Sequence, residues 1–355
     1  MATINFAGNI YSGEVLEDLL VYTAQGNDTY QEGLIHIKPG VQKKFTLPHV
    51  SLNKIIQDNV ATPTTQGAAT GEYNQYTYSE RYLEPGDFMV YVRFNPREFE
   101  DVWRPFQPTG PLVFRELDPK VQSTMIRLLI ERKMEYINHA IWCGAMPDNS
   151  AKVSKSDGSE TGTTEIGGDD AAGPMNLFNG AIVRMLMNIS ADAESEDAKC
   201  GRVNLIGTGT FADGEAVEQE LYKMWEGTKP KVRKKQGLVI LMDYKSWDAY
   251  NKYLSGKYYK YSDNRDENQR RFQGKRIIPM VALPEDTIIM GCFTTGVDSN
   301  LWMGIDYPSD EEVLKIDILQ NNSELYFFKM LMKIDINIVL PDEITAHIPF
   351  NYNKG

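Results

Sequence analysis

The hydrophobic positions of this chain change period several times, and each change marks an element. From Val121 to Ile141 apolar residues recur at three- and four-residue spacing: Val121, Met125, Leu128 and Leu129, then Tyr136, Ile137, Ala140 and Ile141. This is one stripe of an amphipathic helix. Asp118 suits the N-cap, Pro119 the first helical position and Gly144 the C-terminal cap, so the pattern predicts a helix over 119–143. At ~1.5 Å per residue it is a rod about 37 Å long. Ahead of it the period is two. Tyr76, Tyr78 and Tyr82 share one face of a strand, and Glu84-Pro85-Gly86-Asp87 is a turn. Phe88, Val90, Val92 and Phe94 then alternate with Met89, Tyr91 and Arg93. Both faces of this second strand are fairly apolar, which predicts cover on both sides. With the loop-like stretch Thr62–Gly71, the segment from Val60 to Phe94 reads as an extended, tyrosine-rich hairpin.

The remaining pattern is mixed. Ser12 caps a short helix over 13–20, Gly33–Gly40 alternates as a strand and stops at a Pro-Gly turn, and Phe45–Pro48 is extended. This first region has few segments able to form a core of their own, so it should pack along something else. Asn95-Pro96 restarts a helix carrying Phe99, Val102 and Trp103. Between Pro147 and Pro174 the composition shifts to Asp, Ser, Gly, Thr and Glu, a long polar loop. Beyond it helices (177–188, from the Asp213 cap to Trp225, and 244–254) alternate with strands (203–206 and 238–242). That alternation predicts a small α/β domain. The chain then turns mostly β, with strands over 276–281, 287–292, 313–319 and 326–338. In the last, Ile334, Ile336 and Ile338 alternate with Asp335 and Asn337.

Composition narrows the function classes. The chain has 355 residues, 42% hydrophobic and 24% charged, with a net charge of −12. It is globular and long enough for two or more compact parts. A nucleic-acid wrapper carries a basic stripe, so the acidic balance argues against specific nucleic-acid recognition. Three widely spaced cysteines, Cys143, Cys200 and Cys292, form neither a disulfide framework nor a metal site and read as buried thiols. Met1–Ile10 lacks the features of a signal peptide. No apolar run reaches the ~20 residues of a membrane span, so no membrane partner is expected.

Candidate chemistry is sparse. The four histidines, His36, His49, His139 and His347, form no HxxxH or HxH pair, so no metal is expected. Gly207-Thr208-Gly209-Thr210-Phe211-Ala212 fits a loose dinucleotide pattern. However, Asp213-Gly214 puts an acid at the helix start where a phosphate would sit, and a plain strand-to-helix turn is favoured with no cofactor. Lys229–Lys235, which contains Lys231 and Arg233, is the densest basic run. It reads either as a solvated loop or as a ring of positive charge near a symmetry axis. Lys257-Tyr258-Tyr259-Lys260-Tyr261, with Arg265, Arg270 and Arg271, interleaves aromatics with charge and suits a protein–protein contact more than base stacking. Adjacent carboxylates such as Asp169-Asp170 sit in polar loops, and no GxSxG, P-loop or HExxH motif occurs. No catalytic residue is assigned. The alternative class, a soluble α+β enzyme, would use the Gly207 turn.

The order of parts, with "GLVILMDYKSWDAYNKYL" (237–254), "IIPMVALPEDTIIMG" (277–291) and "YFFKMLMKIDINIVLPDEITAH" (326–347), resembles the major capsid protein of tailed bacteriophages, the Hong Kong 97-type fold. The resemblance implies an α+β chain divided into an N-terminal arm (1–59), an extended loop (60–95), a peripheral domain (96–174) with the spine helix 119–143, an axial domain (175–299) and return strands (300–355) that complete the peripheral domain. It implies a non-enzymatic subunit that self-assembles into hexamers and pentamers of an icosahedral shell around double-stranded DNA. The shell would be assembled in host cytoplasm and reside in the virion, with scaffolding, portal and decoration proteins as separate partners. An encapsulin-like bacterial compartment shell is the alternative within the same fold. The residues expected at subunit contacts are Tyr73, Tyr76, Tyr78, Tyr82, Arg93, Lys231, Arg233, Tyr258, Tyr259 and Arg270. Two departures follow from the sequence. No lysine lies between Lys54 and Lys120, so the lysine-to-asparagine cross-link of some members is not expected. The loop begins near residue 60, so a fused N-terminal scaffolding segment of the kind some members carry is not expected.

Overall fold

The computed structural model describes residues 9–11, 28–52, 59, 76–94, 119–158, 165–170, 173–192, 195, 199–257, 270–306, 314–318 and 325–353. The helix expected after Ser12, the loop at 62–71, the helix opened by Asn95-Pro96, and Tyr73, Tyr258 and Tyr259 lie outside the described residues.

A 13-residue strand, Tyr326–Ile338, organises the first of two large sheets, with the bounds its alternation predicts. Met330 is in register with both Leu314 and Val90, and Ile334 with both Ile305 and Gly86. Leu314–Ile318 and Leu301–Asp306 therefore run antiparallel one after the other along one edge, and Gly86–Phe94 runs antiparallel along the other. Asn9–Tyr11 pairs with Leu314–Ile318, and His36–Pro39 joins Leu301–Asp306 in parallel. The first region does pack along something else: Leu34 and Ile35 are completely buried in the main core. The strand Leu301–Asp306 was not anticipated, because the run LWMGID carries no alternation.

The ribbon differs from expectation. Phe45–Leu52 pairs antiparallel with Tyr76–Leu83, from Phe45 opposite Leu83 to Leu52 opposite Tyr76. The two-stranded ribbon therefore starts at Phe45 rather than residue 60, and Gly86–Phe94 belongs to the large sheet instead. Hydrophobic burial accounts for the difference. Leu47 and Leu83 close a small cluster with Val41, against Phe45, Trp302 and Val339. Past the Glu84-Pro85 corner, Phe88 enters the main core. The expectation that Gly86–Phe94 is covered on both faces also fails, since Met89, Tyr91 and Val92 remain exposed.

The long helix spans Pro119–Cys143, as its pattern predicts. Within the described part of the helix, Ile137, Ala140, Ile141 and Trp142 lie in the main core, whereas Leu128 is exposed. Lys133 is buried as well, its Nζ 3.0 Å from Met330 Sδ, and burial pushes its amine down to about 7. Gly144 does not adopt the left-handed conformation of a glycine cap. It is needed for space. A Cβ there would lie 2.5 Å from the Ala140 carbonyl and 2.8 Å from that of Phe178, in a tight crossing where Gly180 N donates to Gly144 O at 2.7 Å. This crossing seats the helix Ala181–Ser190 against the spine helix.

The second sheet has six strands in the order Arg271–Phe272, Lys275–Met280, Leu238–Asp243, Ile288–Cys292, Thr345–His347, Asn204–Gly207. It is mixed, parallel between Leu238–Asp243 and Lys275–Met280 and between Thr345–His347 and Asn204–Gly207, and antiparallel elsewhere. Its central strands read as continuous apolar runs because both faces are covered. Leu238, Ile240 and Met242 face the helices Gly214–Gly227 and Tyr244–Lys257, while Leu241 faces the main core that also contains the spine helix. Asp213 caps Gly214–Gly227 as expected, accepting from Ala216 N at 2.9 Å. The segment 300–355 does not return to the first sheet as a unit. Thr345–His347 enters the second sheet, and Phe350–Tyr352 pairs with Val153–Lys155. A short hydrophobic run such as ITAHI carries no information about which sheet will accept it.

Two substitutions test this packing. Gly144→Ala must displace backbone at the helix crossing and should cost about 2–3 kcal/mol, read as a lower urea midpoint. For Lys133 the folded pKa lies below the ordinary 10.5. Between pH 7 and that value the unfolded chain binds more protons, so stability should rise with pH across the window. Lys133→Met should raise the denaturation midpoint at pH 7 and flatten that rise.

Candidate assembly surfaces

The ribbon is fixed to the large sheet by a buried polar cluster. Arg81 sits on the inward face of Tyr76–Leu83 and is almost fully buried, with its Nη1 donating to Ile338 O at 2.8 Å. Asn337 Nδ2 donates to Tyr82 O at 2.7 Å. Asp335 accepts from Glu84 N at 2.8 Å and pairs with Arg184 Nη2, from the helix Ala181–Ser190, at 3.0 Å. Burial pushes the Asp335 carboxyl above its ordinary value, and the Arg184 charge and the N–H groups of Glu84 and Ile336 pull it part of the way back. Sequence reading missed this cluster. Its signal was present as Asp335 and Asn337, two polar residues facing the same way from the middle of a long apolar strand.

The alternation Ser79, Arg81, Leu83 inward leaves Tyr78, Glu80 and Tyr82 on the outward face, where the sequence puts its tyrosines. Tyr78 is 54% exposed and stands in register with Val50, which is 59% exposed. Together they form an uncovered apolar cross-strand pair. Tyr82 is occupied within its own chain. Its hydroxyl donates to Glu80, and the Lys44 ammonium lies 3.4 Å from its ring centroid while also pairing with Glu84 at 3.1 Å. Tyr76 is described only by its backbone, opposite Leu52.

The other expected contact residues divide. Arg93 is exposed on the strand Gly86–Phe94, on the same face as Met89 (53% exposed) and Tyr91, whose ring stacks on Phe327 with centroids 6.0 Å apart. Arg93, Met89 and Tyr91 thus form a second half-apolar surface. The basic run is a single helical turn, Pro230–Arg233, and not a loop. Within it Arg233 turns back to donate to Thr228 O and Glu226 O at 2.8 and 2.7 Å and lies over Trp225, while Lys229 and Lys235 pair with Asp342 and Glu343. Only Lys231 and Lys234 of that run face solvent with no such pairing shown. Arg270 is exposed beside the hairpin whose turn is Gln273-Gly274.

The Gly207 turn is filled by protein. His347 places Nε2 2.7 Å from Gly209 O and Nδ1 2.8 Å from Glu220, and Phe211 stacks on its ring at 4.5 Å. Any side chain at Gly207 would collide with Glu220 and His347. The space beside Gly207 is therefore occupied by protein, whereas Gly209 at the middle of the turn is open. Among the described residues no cluster of His, Cys, Asp and Glu could hold a metal ion, and the three cysteines are buried free thiols. No helix among the described residues is long and apolar enough to cross a membrane.

Known structures share this arrangement of sheets and helices across almost the whole chain. A chain of the satellite phage P4 procapsid, solved with its size determination (Sid) protein, superposes with a TM-score of 0.53 at 14% identity, over 96% of this chain and 93% of that one. The capsid of an empty GTA particle gives 0.52 at 11% identity, over 92% and 89%. This chain has a phage capsid fold. The cyanophage A-1(L) capsid adds a third case, with a TM-score of 0.50 at 13% identity over 90% and 92%. No protein-family model and no curated protein matches the sequence, so the likeness is one of mixed α+β fold. Within this capsid fold, the ribbon and its buried clamp are the features through which an outward surface is held in place.

The clamp can be tested by removing its cation. Arg184→Ala leaves Asp335 buried without its counter-charge and should cost about 3 kcal/mol at pH 7. The carboxyl pKa then rises further, and the folded chain binds more protons than the unfolded one. Stability is lost as pH rises, so the deficit should shrink between pH 7 and pH 5 in urea titrations.

Proposed function

We propose that this chain is a structural subunit of the Hong Kong 97 type. On this reading it self-assembles into the hexamers and pentamers of an icosahedral capsid shell enclosing phage double-stranded DNA. The observation that carries this reading is the fold match to capsid subunits over at least nine-tenths of this chain. The large sheet with the spine helix takes the role of the peripheral domain. The mixed six-stranded sheet with its two helices takes the role of the axial domain, and the ribbon 45–83 that of the extended loop. No residue is assigned to catalysis, and the shell resides in the virion after assembly in host cytoplasm.

Physical chemistry supports an assembling subunit. Val50 and Tyr78 are each able to contribute about 1.5–3 kcal/mol when buried, and a closed shell multiplies such modest contacts over every subunit. Tyrosine suits this position, since its ring buries area and its hydroxyl tolerates a wet rim. The net charge of −12 keeps an enclosed polyanion from adhering to the shell. Separate scaffolding, portal and decoration proteins complete the proposed partner set.

Expression of the full chain, alone and with neighbouring genes, followed by negative-stain microscopy, tests the reading. Closed shells support it, and a soluble monomer that binds a nucleotide would sink it. The double variant Val50→Glu/Tyr78→Ser changes only outward residues and should leave the urea midpoint within about 0.5 kcal/mol of wild type. Its yield of closed particles in sedimentation should fall at least tenfold if the ribbon face is a subunit contact.

A further inference from the structure

The histidine at position 347 is bonded in a way that only one of its protonation states satisfies. Its two ring nitrogens face two oxygens, the Glu220 carboxylate at 2.8 Å from Nδ1 and the Gly209 carbonyl at 2.7 Å from Nε2. A backbone carbonyl only accepts, and an ionised carboxylate only accepts, so both contacts are hydrogen bonds only when both ring nitrogens carry protons. The carboxylate is the ionised partner. Burial pushes Glu220 up, but the hydrogen bonds from His347 and Lys223 outweigh it and hold the carboxyl below its ordinary value. His347 and Glu220 are both buried, and the ring is stacked under Phe211.

The surroundings define what the ring joins. His347 stands on the strand Thr345–His347, in register with Ile288 on one side and Gly207 on the other. Glu220 projects from the helix Gly214–Gly227, where its second oxygen also takes Lys223 Nζ at 3.0 Å. The turn 207–213 is held at its far end by Asp286, which accepts from Phe211 N at 3.3 Å and pairs with Lys245 at 3.3 Å. Glu220, Lys223, Asp286 and Lys245 are thus the charged groups around the ring, and among the described residues only Glu220 touches it.

We infer that His347 is a proton-operated latch, whose doubly protonated ring ties the turn 207–213 to the helix Gly214–Gly227 through the strand Thr345–His347. When one proton leaves to solvent, the remaining N–H stays with the carboxylate, the stronger acceptor. The bare Nε2 then faces the Gly209 oxygen, lone pair against lone pair, and the turn loses its tether while the sheet beneath it stays closed. Imidazole is the side chain whose unperturbed change of charge falls between about pH 5 and 8. The inference does not depend on the chain forming shells and goes beyond that reading.

Hydrogen exchange on the full chain tests it, with peptides covering 207–213 compared to peptides covering Ile288–Cys292, each corrected for intrinsic rates. From pH 5 to pH 8.5 the turn should lose protection about five- to tenfold, the loss of one net hydrogen bond, while the strand is unchanged. Glu220→Gln removes the anion and should release the turn at a lower pH than wild type. His347→Gln should abolish the pH dependence. Protection of the turn that is flat with pH in wild type overturns the inference, as does an unchanged pH profile in Glu220→Gln. If His347→Gln does not fold, the wild-type and Glu220→Gln profiles decide alone.

Discussion

The burial of one carboxylate organises this molecule. Asp335 lies in the middle of the strand Tyr326–Ile338, with apolar core on the opposite face, where a lone ionised group costs several kcal/mol. It is tolerated because a guanidinium and two backbone N–H groups converge on it from three elements. Arg184 brings the helix Ala181–Ser190, and Glu84 brings the end of the ribbon. Asn337, two residues along, takes the ribbon carbonyl of Tyr82. The helix, the ribbon and the sheet are therefore set relative to one another by a directional network, where apolar packing alone would allow sliding.

The apolar contacts then divide cleanly. The mixed sheet has one set of side chains under its own two helices and the alternate set in the core shared with the spine helix. The same core continues beneath the first sheet through Met330, Met332 and Ile334. At the turn with a nucleotide-like sequence, His347 bonds to the Gly209 carbonyl and Phe211 stacks on its ring. What remains at the surface is a set of apolar positions, Val50 and Tyr78 on the ribbon and Met89 and Tyr91 on the outer strand, held on well-anchored elements.

Much of the fold was legible because periodicity reports burial. The spine helix and the strand Tyr326–Ile338 have the bounds their patterns give, and the strand and helix around 238–257 follow closely. Pairing partners were not legible. Alternation tells which face of Gly86–Phe94 is apolar but not that its neighbour is a strand more than two hundred residues later, so the ribbon was given the wrong second strand. Gly144 illustrates another limit: sequence marks the glycine, and only the approach of Phe178 and Gly180 shows that it is there for space and not for its backbone angle. On the ribbon, strand period puts Tyr78 on the outward face, where it is exposed, yet it could not show that Lys44 and Glu80 already engage Tyr82 or that Arg233 folds back on Trp225.

The place of Thr345–His347 in the mixed sheet sets the order in which the chain can become itself. That strand is fifth of six, and among the described residues Asn204–Gly207 has no other neighbour in the sheet. During synthesis Asn204–Gly207 emerges long before its partner exists. Its backbone groups stay unpaired until residue 347 has left the ribosome, and such late closure of non-local pairing is slow. Until then the edge of Ile288–Cys292 that Thr345–His347 will take is open as well. Completion of this sheet thus waits on residues 345–347, and the order of the chain makes its outer strand the last to be paired.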